Sequence, residues 1–313
     1  SLLQKSVDTL LVPPSESQLE MIRNDINEDK DRLQHKEKLL QTWLNYRPHF
    51  PKNYDRKVVR SFLRNCKHDM EKVKTKLECY YATRHLYQEL YSNRSTFACD
   101  IIQALDTINM VPLPKLNAKG SRIFVFKLEN TDPETFDVHA ATKLFLMIYD
   151  LLLTSEHPVA GDIALFDGAD IGPNHFVKFL SVVKTITAIL REAYAIRLKQ
   201  VHVINASPLV DKIINVIKPL LHRKVRETFI NHTSTKTLYN YFSEEILPSN
   251  YGGNCKPLRE LMNDWREILK RNEDWFLEQE SVKITESIPK KSTDNLYSDD
   301  FSIQGSFRSL QID

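Results

Sequence analysis

Three short runs rich in β-branched and aromatic residues constrain this chain most. Residues 122–128 (RIFVFKL), 161–167 (GDIALFD) and 199–205 (KQVHVIN) are separated by long helical stretches at about 134–153 and 174–195. Strand, helix, strand, helix, strand at this spacing implies parallel pairing, because a parallel partner is reached only through a long crossover connection. The runs are apolar on both faces, as strands buried between helices are. The expected fold class is therefore α/β, a mostly parallel sheet flanked by helices. A fourth strand is expected at 228–231, and further helices at about 209–218 and 258–272.

The first third has a different texture. Ser15 or Ser17 can cap a helix at 16–27, and a second helix at about 32–46 carries Leu33, Leu39, Leu40, Trp43 and Leu44 as its apolar stripe. It stops at Arg47-Pro48-His49-Phe50-Pro51, where two prolines forbid continuation. A third helix carries Val58, Val59, Phe62 and Leu63, and a fourth at about 70–91 follows Asp69 as its N-cap. The stretch 110–120 is rich in proline and lacks periodicity, which marks a boundary. The expected organisation is a helical module over 1–110, an α/β domain over 111–279 and a loose Ser- and Asp-rich tail over 280–313.

Charge and motif content narrow the function classes. The 43 basic and 41 acidic residues leave a formal charge of +2, without the basic surplus that duplex binding needs, so no nucleic-acid partner is expected. No apolar run approaches the roughly 20 residues of a bilayer span, and the first residues lack a secretory layout. Four scattered cysteines, Cys66, Cys79, Cys99 and Cys255, form neither a disulfide framework nor a metal-ligand set, which favours a reduced, cytoplasmic setting. There is no phosphate-cradling loop, nucleophile elbow or H-E-x-x-H. Asp167 and Asp170 are the one candidate acid/base or metal pair, and their ordinary reading is a strand end and a helix cap. His202 alternates with Val201 and Val203 and reads as a hydrogen-bonded core histidine. No catalytic residue, cofactor or metal site is expected.

The helix after the third strand says more. Leu209, Val210, Ile213, Ile214, Val216, Ile217, Leu220 and Leu221 surround a single polar line of Asp211, Asn215, Lys218 and His222. The apolar sector covers roughly two thirds of the circumference, more than one packing face needs. Such a helix is either deeply buried or lies over something apolar. Pro219 should break it near Lys218. The basic run Lys218, His222, Arg223, Lys224 and Arg226 follows at once, and beside so apolar a helix it suits an anionic membrane surface.

Several stretches in unbroken order, over about 30–275, resemble CRAL-TRIO proteins. Leu39-Leu40-Gln41-Thr42-Trp43-Leu44 with Arg47-Pro48-His49-Phe50-Pro51 and Val59-Arg60-Ser61-Phe62-Leu63-Arg64 is similar to the family's N-terminal helical module. Val203-Ile204-Asn205, Val216-Ile217-Lys218-Pro219-Leu220-Leu221 and Ile246-Leu247-Pro248 through Tyr251-Gly252-Gly253 are similar to its lipid-binding domain. The resemblance, close in pattern to the family's tocopherol and retinaldehyde carriers, implies a non-enzymatic carrier that is monomeric and transiently peripheral to membranes. It implies a sheet flooring a closed apolar cavity, with the helix at 208–218 as a gate. By position the lining would be Leu144, Ile148, Phe166, Ile186, Ile189, Leu190, Tyr194, Val201, Val210, Ile213, Ile214 and Ile217. The family's phosphoinositide-binding cleft would fall on Arg64, Arg197, Lys199 and Lys224, with Thr228 replacing a further arginine. The implied cargo is one hydrophobic lipid, a retinoid, tocopherol or similar isoprenoid. The alternative from the same resemblance is a phosphoinositide-dependent membrane adaptor without obligatory cargo.

Overall fold

The computed structural model describes residues 5–284, so most of the expected tail lies outside the described residues. The N-terminal helices begin where side-chain oxygens satisfy free backbone N–H groups. Helix α1 (Glu16–Ile26) starts at Ser15 with a capping box to Gln18. Helices α2 (Lys30–Tyr46), α3 (Arg56–Asn65) and α4 (Met70–Leu86) start at Asp29, Asp55 and Asp69, each of which accepts from a backbone N–H in the first turn. The expected stripe of α2 is narrower than its sequence: Leu40 and Leu44 are buried, while Leu39 is 47% exposed. The fourth helix breaks at Tyr87, and α5 (Gln88–Tyr91) and α6 (Cys99–Thr107) follow.

The sheet has the order β1-β2-β3-β4-β5. Strands β2 (Ser121–Leu128), β3 (Gly161–Asp167), β4 (Leu198–Ile204) and β5 (Phe229–His232) are mutually parallel, as expected. Strand β1 (Ile108–Pro112) is an addition to the expected set: it overlaps the aperiodic stretch and pairs antiparallel with β2. Its brevity and terminal Pro112 hide it in the sequence, yet a proline at the end of an edge strand costs no ladder bond.

Helix α7 (Val138–Leu152) starts at Asp137, which accepts from the backbone of His139 and Ala140. The single helix expected at 174–195 is two, α8 (Pro173–Leu180) and α9 (Val183–Glu192), interrupted at Val182. Helix α10 (Pro208–Ile217) is capped by Ser207, and Pro219 converts its continuation into a 3-10 turn, Lys218–Leu220. The chain then forms α11 (Arg223–Arg226), β5, α12 (Leu258–Arg271) and α13 (Glu273–Gln279). The helical module is tied to α7 through fully buried Asp150, which accepts from Arg94 Nη1 at 2.5 Å, Tyr80 Oη at 3.0 Å and Arg84 Nη2 at 3.3 Å.

Candidate functional site

Period-two alternation places Phe124 and Phe126 of β2, Ala164 and Phe166 of β3, and Val201 and Val203 of β4 on one face of the sheet. These side chains line a cavity of about 410 Å³ that is also bounded by α7, α8, α9 and α10. An aromatic shelf crosses it: Phe124 stacks on Phe126 with centroids 4.9 Å apart, and Phe126 stacks on Phe166 at 4.8 Å. Phe145 from α7 meets Phe124 edge-on at 5.3 Å. Phe179, Val183, Leu220, Leu221, Val225 and Phe229 complete much of the wall.

Helix α10 lies over this face. Only Val210 and Ile214, at 4% and 6% exposure, are buried beneath it, and they form with Ala164, Val201 and Val203 a cluster separate from the main core. Gly168 allows the close approach: a Cβ there would stand 2.8 Å from Val210 Cγ2. Asp211 and Asn215 of the expected polar line face outward and are exposed, with Lys218 half-buried. A polar pair interrupts the apolar wall. Tyr149 Oη donates to Asp162 Oδ2 at 2.8 Å. Burial pushes the Asp162 carboxyl up to about 6, outweighing the lowering influence of Tyr149, Arg197 and Arg122.

Similarity to known proteins agrees with this architecture. Residues 107–253 match the CRAL/TRIO domain, and residues 29–101 match the Pinta-like UBA domain. The chain carries a CRAL/TRIO domain over residues 107–253. It is 25% identical over 237 residues to human alpha-tocopherol transfer protein-like, covering 74% of this chain and 68% of that relative. It is 24% identical over 261 residues to human Clavesin-2, covering 82% and 79% respectively. The solved structure of Sfh5 aligns at a TM-score of 0.49 and 14% identity, over 77% of this chain and 91% of that one.

Within the CRAL/TRIO domain, Phe166, Ile186, Leu190, Val201, Val210, Ile213, Ile214 and Ile217 line the cavity. Leu144, Ile148, Ile189 and Tyr194 do not, contrary to expectation. The cavity stripe of α7 is Ala141, Thr142, Phe145 and Tyr149, so Leu144 and Ile148 point away from it into the main core at 0% exposure. Ile189 lies off the stripe Val183, Ile186, Thr187 and Leu190 of α9 and is fully buried. Tyr194 follows that helix and is bonded through its hydroxyl to Tyr91 Oη at 3.1 Å. The β2 aromatics and Tyr149 lie outside the expected lining, although alternation along 122–128 puts Phe124 and Phe126 on one face.

The four expected basic residues do not form one open cleft. Arg64 is 8% exposed, holds Glu28 through Nε at 2.8 Å and donates Nη1 to Glu156 O at 2.8 Å. Burial would raise the Glu28 carboxyl, but His68 and Arg64 overcome it and hold the group at about 2. Arg197 and Lys199 share Asp25 Oδ2 at 3.2 and 3.4 Å. Thus the C-terminal end of α1 and the residues just after it lay two carboxylates over this basic region. Lys224 is exposed on α11, which packs against β4, and has no ion pair among the described residues.

Asp167 and Asp170 do not pair. Asp167 is 4% exposed and saturated: Oδ1 accepts from Ala169 N at 3.1 Å and Asn205 Nδ2 at 2.8 Å, while Oδ2 accepts from Tyr251 Oη at 3.0 Å. Asp170 is exposed with φ of 63°, and the cap of α8 is Gly172 rather than either aspartate. His202 is fully buried, bonded to His232 Nε2 at 2.7 Å and Gln200 Oε1 at 3.2 Å. Burial, reinforced by His232, lowers it to about 4, so it is neutral at physiological pH.

Proposed function

We propose that this protein is a non-enzymatic carrier that holds one isoprenoid-type lipid in the cavity and exchanges it at phosphoinositide-containing membranes. The observation that carries this reading is the apolar space itself, about 410 Å³. That volume lies in the range of small-molecule sites, roughly 300–1,000 Å³. The transfer activity in the name of the tocopherol transfer protein-like relative points the same way. Helix α10 is the gate. It rests on the small cluster around Val210 and Ile214, so it can leave without opening the main core. Burying its apolar side chains in a bilayer, at ~25 cal/mol per Å², offsets the cost of withdrawing them from the cavity.

The basic residues give the membrane its sign. Arg223, Lys224 and Arg226 are exposed beside the gate, with Arg223 held by Glu227 at 3.0 Å. Arg197 and Lys199 reach a phosphate when it displaces the carboxylate of Asp25, since charge-assisted contacts to phosphate exchange readily with those to carboxylate. Arg64 supports the site from behind, because its burial and its bonds to Glu28 hold it in place. The test is transfer of a fluorescent isoprenoid to vesicles with and without phosphoinositide. Lys199→Glu with Lys224→Glu should slow transfer only to phosphoinositide vesicles and leave ligand affinity intact. Vesicle binding that is phosphoinositide-dependent but accompanied by no saturable lipid uptake would replace the carrier with a membrane adaptor.

A further inference from the structure

The cavity wall is apolar along β3 at Ala164 and Phe166, and the same face carries Asp162 at the start of the strand. Gly161 fixes that start: its φ is +156°, and a Cβ there would lie 2.6 Å from Arg197 O. Asp162 and Tyr149 line the main cavity on one side and a second pocket of about 50 Å³ on the other. The second pocket is mixed: Ser61, Arg64, Asn65, Arg122 and His157 share its wall with Leu11, Leu152, Leu153 and Val159. Asp162 therefore stands where the apolar cavity meets a smaller space that carries charged and polar side chains.

Its hydrogen bonding is incomplete. Tyr149 occupies Oδ2, and no salt bridge reaches the carboxylate among the described residues. The two nearby guanidinium groups are committed elsewhere. Arg122 Nη1 donates to Leu113 O at 2.8 Å and Pro114 O at 2.6 Å, while Arg197 donates to Asp25 at 3.2 Å and Val159 O at 2.9 Å. An ionised carboxylate accepts about four hydrogen bonds, and one set into an apolar wall with a single donor is costly. A cargo group that donates to the free oxygen removes that cost.

Resting on the carrier reading above, we infer that Asp162, oriented by Tyr149, is a headgroup site that selects a lipid ending in a hydroxyl over the matched aldehyde or carboxylic acid. A hydroxyl supplies the missing donor. An aldehyde has none, and a carboxylate would set two anions against each other. A cationic amine also supplies donors, but it would bring a positive charge towards Arg122 and Arg197, whose charges already act on Asp162 from nearby.

Retinol, retinal and retinoic acid form a matched probe series, titrated into the full chain and into Asp162→Asn. The wild-type protein should bind retinol at least about tenfold tighter than the other two, the scale of a hydrogen bond to a charged group. In folded Asp162→Asn the retinol affinity should fall about tenfold, with retinal affected less than about twofold. Equal affinities in the wild-type series overturn the headgroup site whether or not the variant folds. A hydroxyl preference retained in folded Asp162→Asn also overturns it, and in both cases the carrier reading stands. Failure of the wild-type protein to bind any of the three, or tocopherol offered beside them, overturns both.

Discussion

Truncating Ile214 isolates the gate. Its side chain is 6% exposed and packs into the cluster of Ala164, Val201, Val203 and Val210 rather than into the main core. Ile214→Ala removes three buried carbons at ~0.8 kcal/mol each and leaves a partly unfilled space, so about 3 kcal/mol of closed-state stabilisation is lost. At 1.4 kcal/mol per factor of ten, the closed-to-open ratio falls roughly a hundredfold. Release of a bound fluorescent isoprenoid into vesicle-free buffer, followed by stopped flow, should accelerate by a similar factor. The dependence of release on vesicles should weaken, since the membrane no longer has to open the gate. Ile148→Ala is the control: fully buried in the main core and off the cavity, it should lower global stability by about 2–5 kcal/mol without hastening release from the folded protein. Unchanged release in Ile214→Ala, with a loss of global stability equal to that of Ile148→Ala, would show that α10 is fixed wall and refute the reasoning.

Other perturbations probe separate parts. Gly168→Ala places a methyl 2.8 Å from Val210 and should push α10 outward, giving faster vesicle-free release than wild type but slower than Ile214→Ala. Asp150→Asn leaves Arg84 and Arg94 without their buried anion, and urea denaturation should show a loss of about 3–5 kcal/mol. Glu28 has a folded-state pKa of about 2 against 4.5 for the free group, so its contribution, about 3 kcal/mol, is complete above pH 4.5 and lost as pH falls towards 2. The difference in unfolding free energy between wild type and Glu28→Gln should therefore shrink over that window, and a difference that grows with acid would contradict the assignment.

Legibility in the sequence follows the range of the interactions. The parallel strands are readable because burial on both faces makes each a continuous apolar run. The caps at Ser15 and Asp69 lie within a few residues of the N–H groups they satisfy. Strand β1 is hidden because five residues ending in Pro112 acquire their structure from pairing with β2. Helix α10 is readable in its composition, yet periodicity leaves open whether it is core or cover. The structure gives it two buried side chains over a cavity. For α7 the difficulty is angular. Leu144 and Phe145 are both apolar and adjacent, and a rotation of about 100° per residue decides which one meets the cavity. The capture of Arg197 and Lys199 by Asp25 is not readable, because the partners are more than 170 residues apart in sequence.

The most direct test of the carrier account is solvent extraction of the protein purified from its native tissue, with absorbance and mass spectra of the extract. The account predicts a single class of isoprenoid lipid at close to one molecule per chain. An extract with no enriched lipid, from protein that also takes up none when offered, would contradict it.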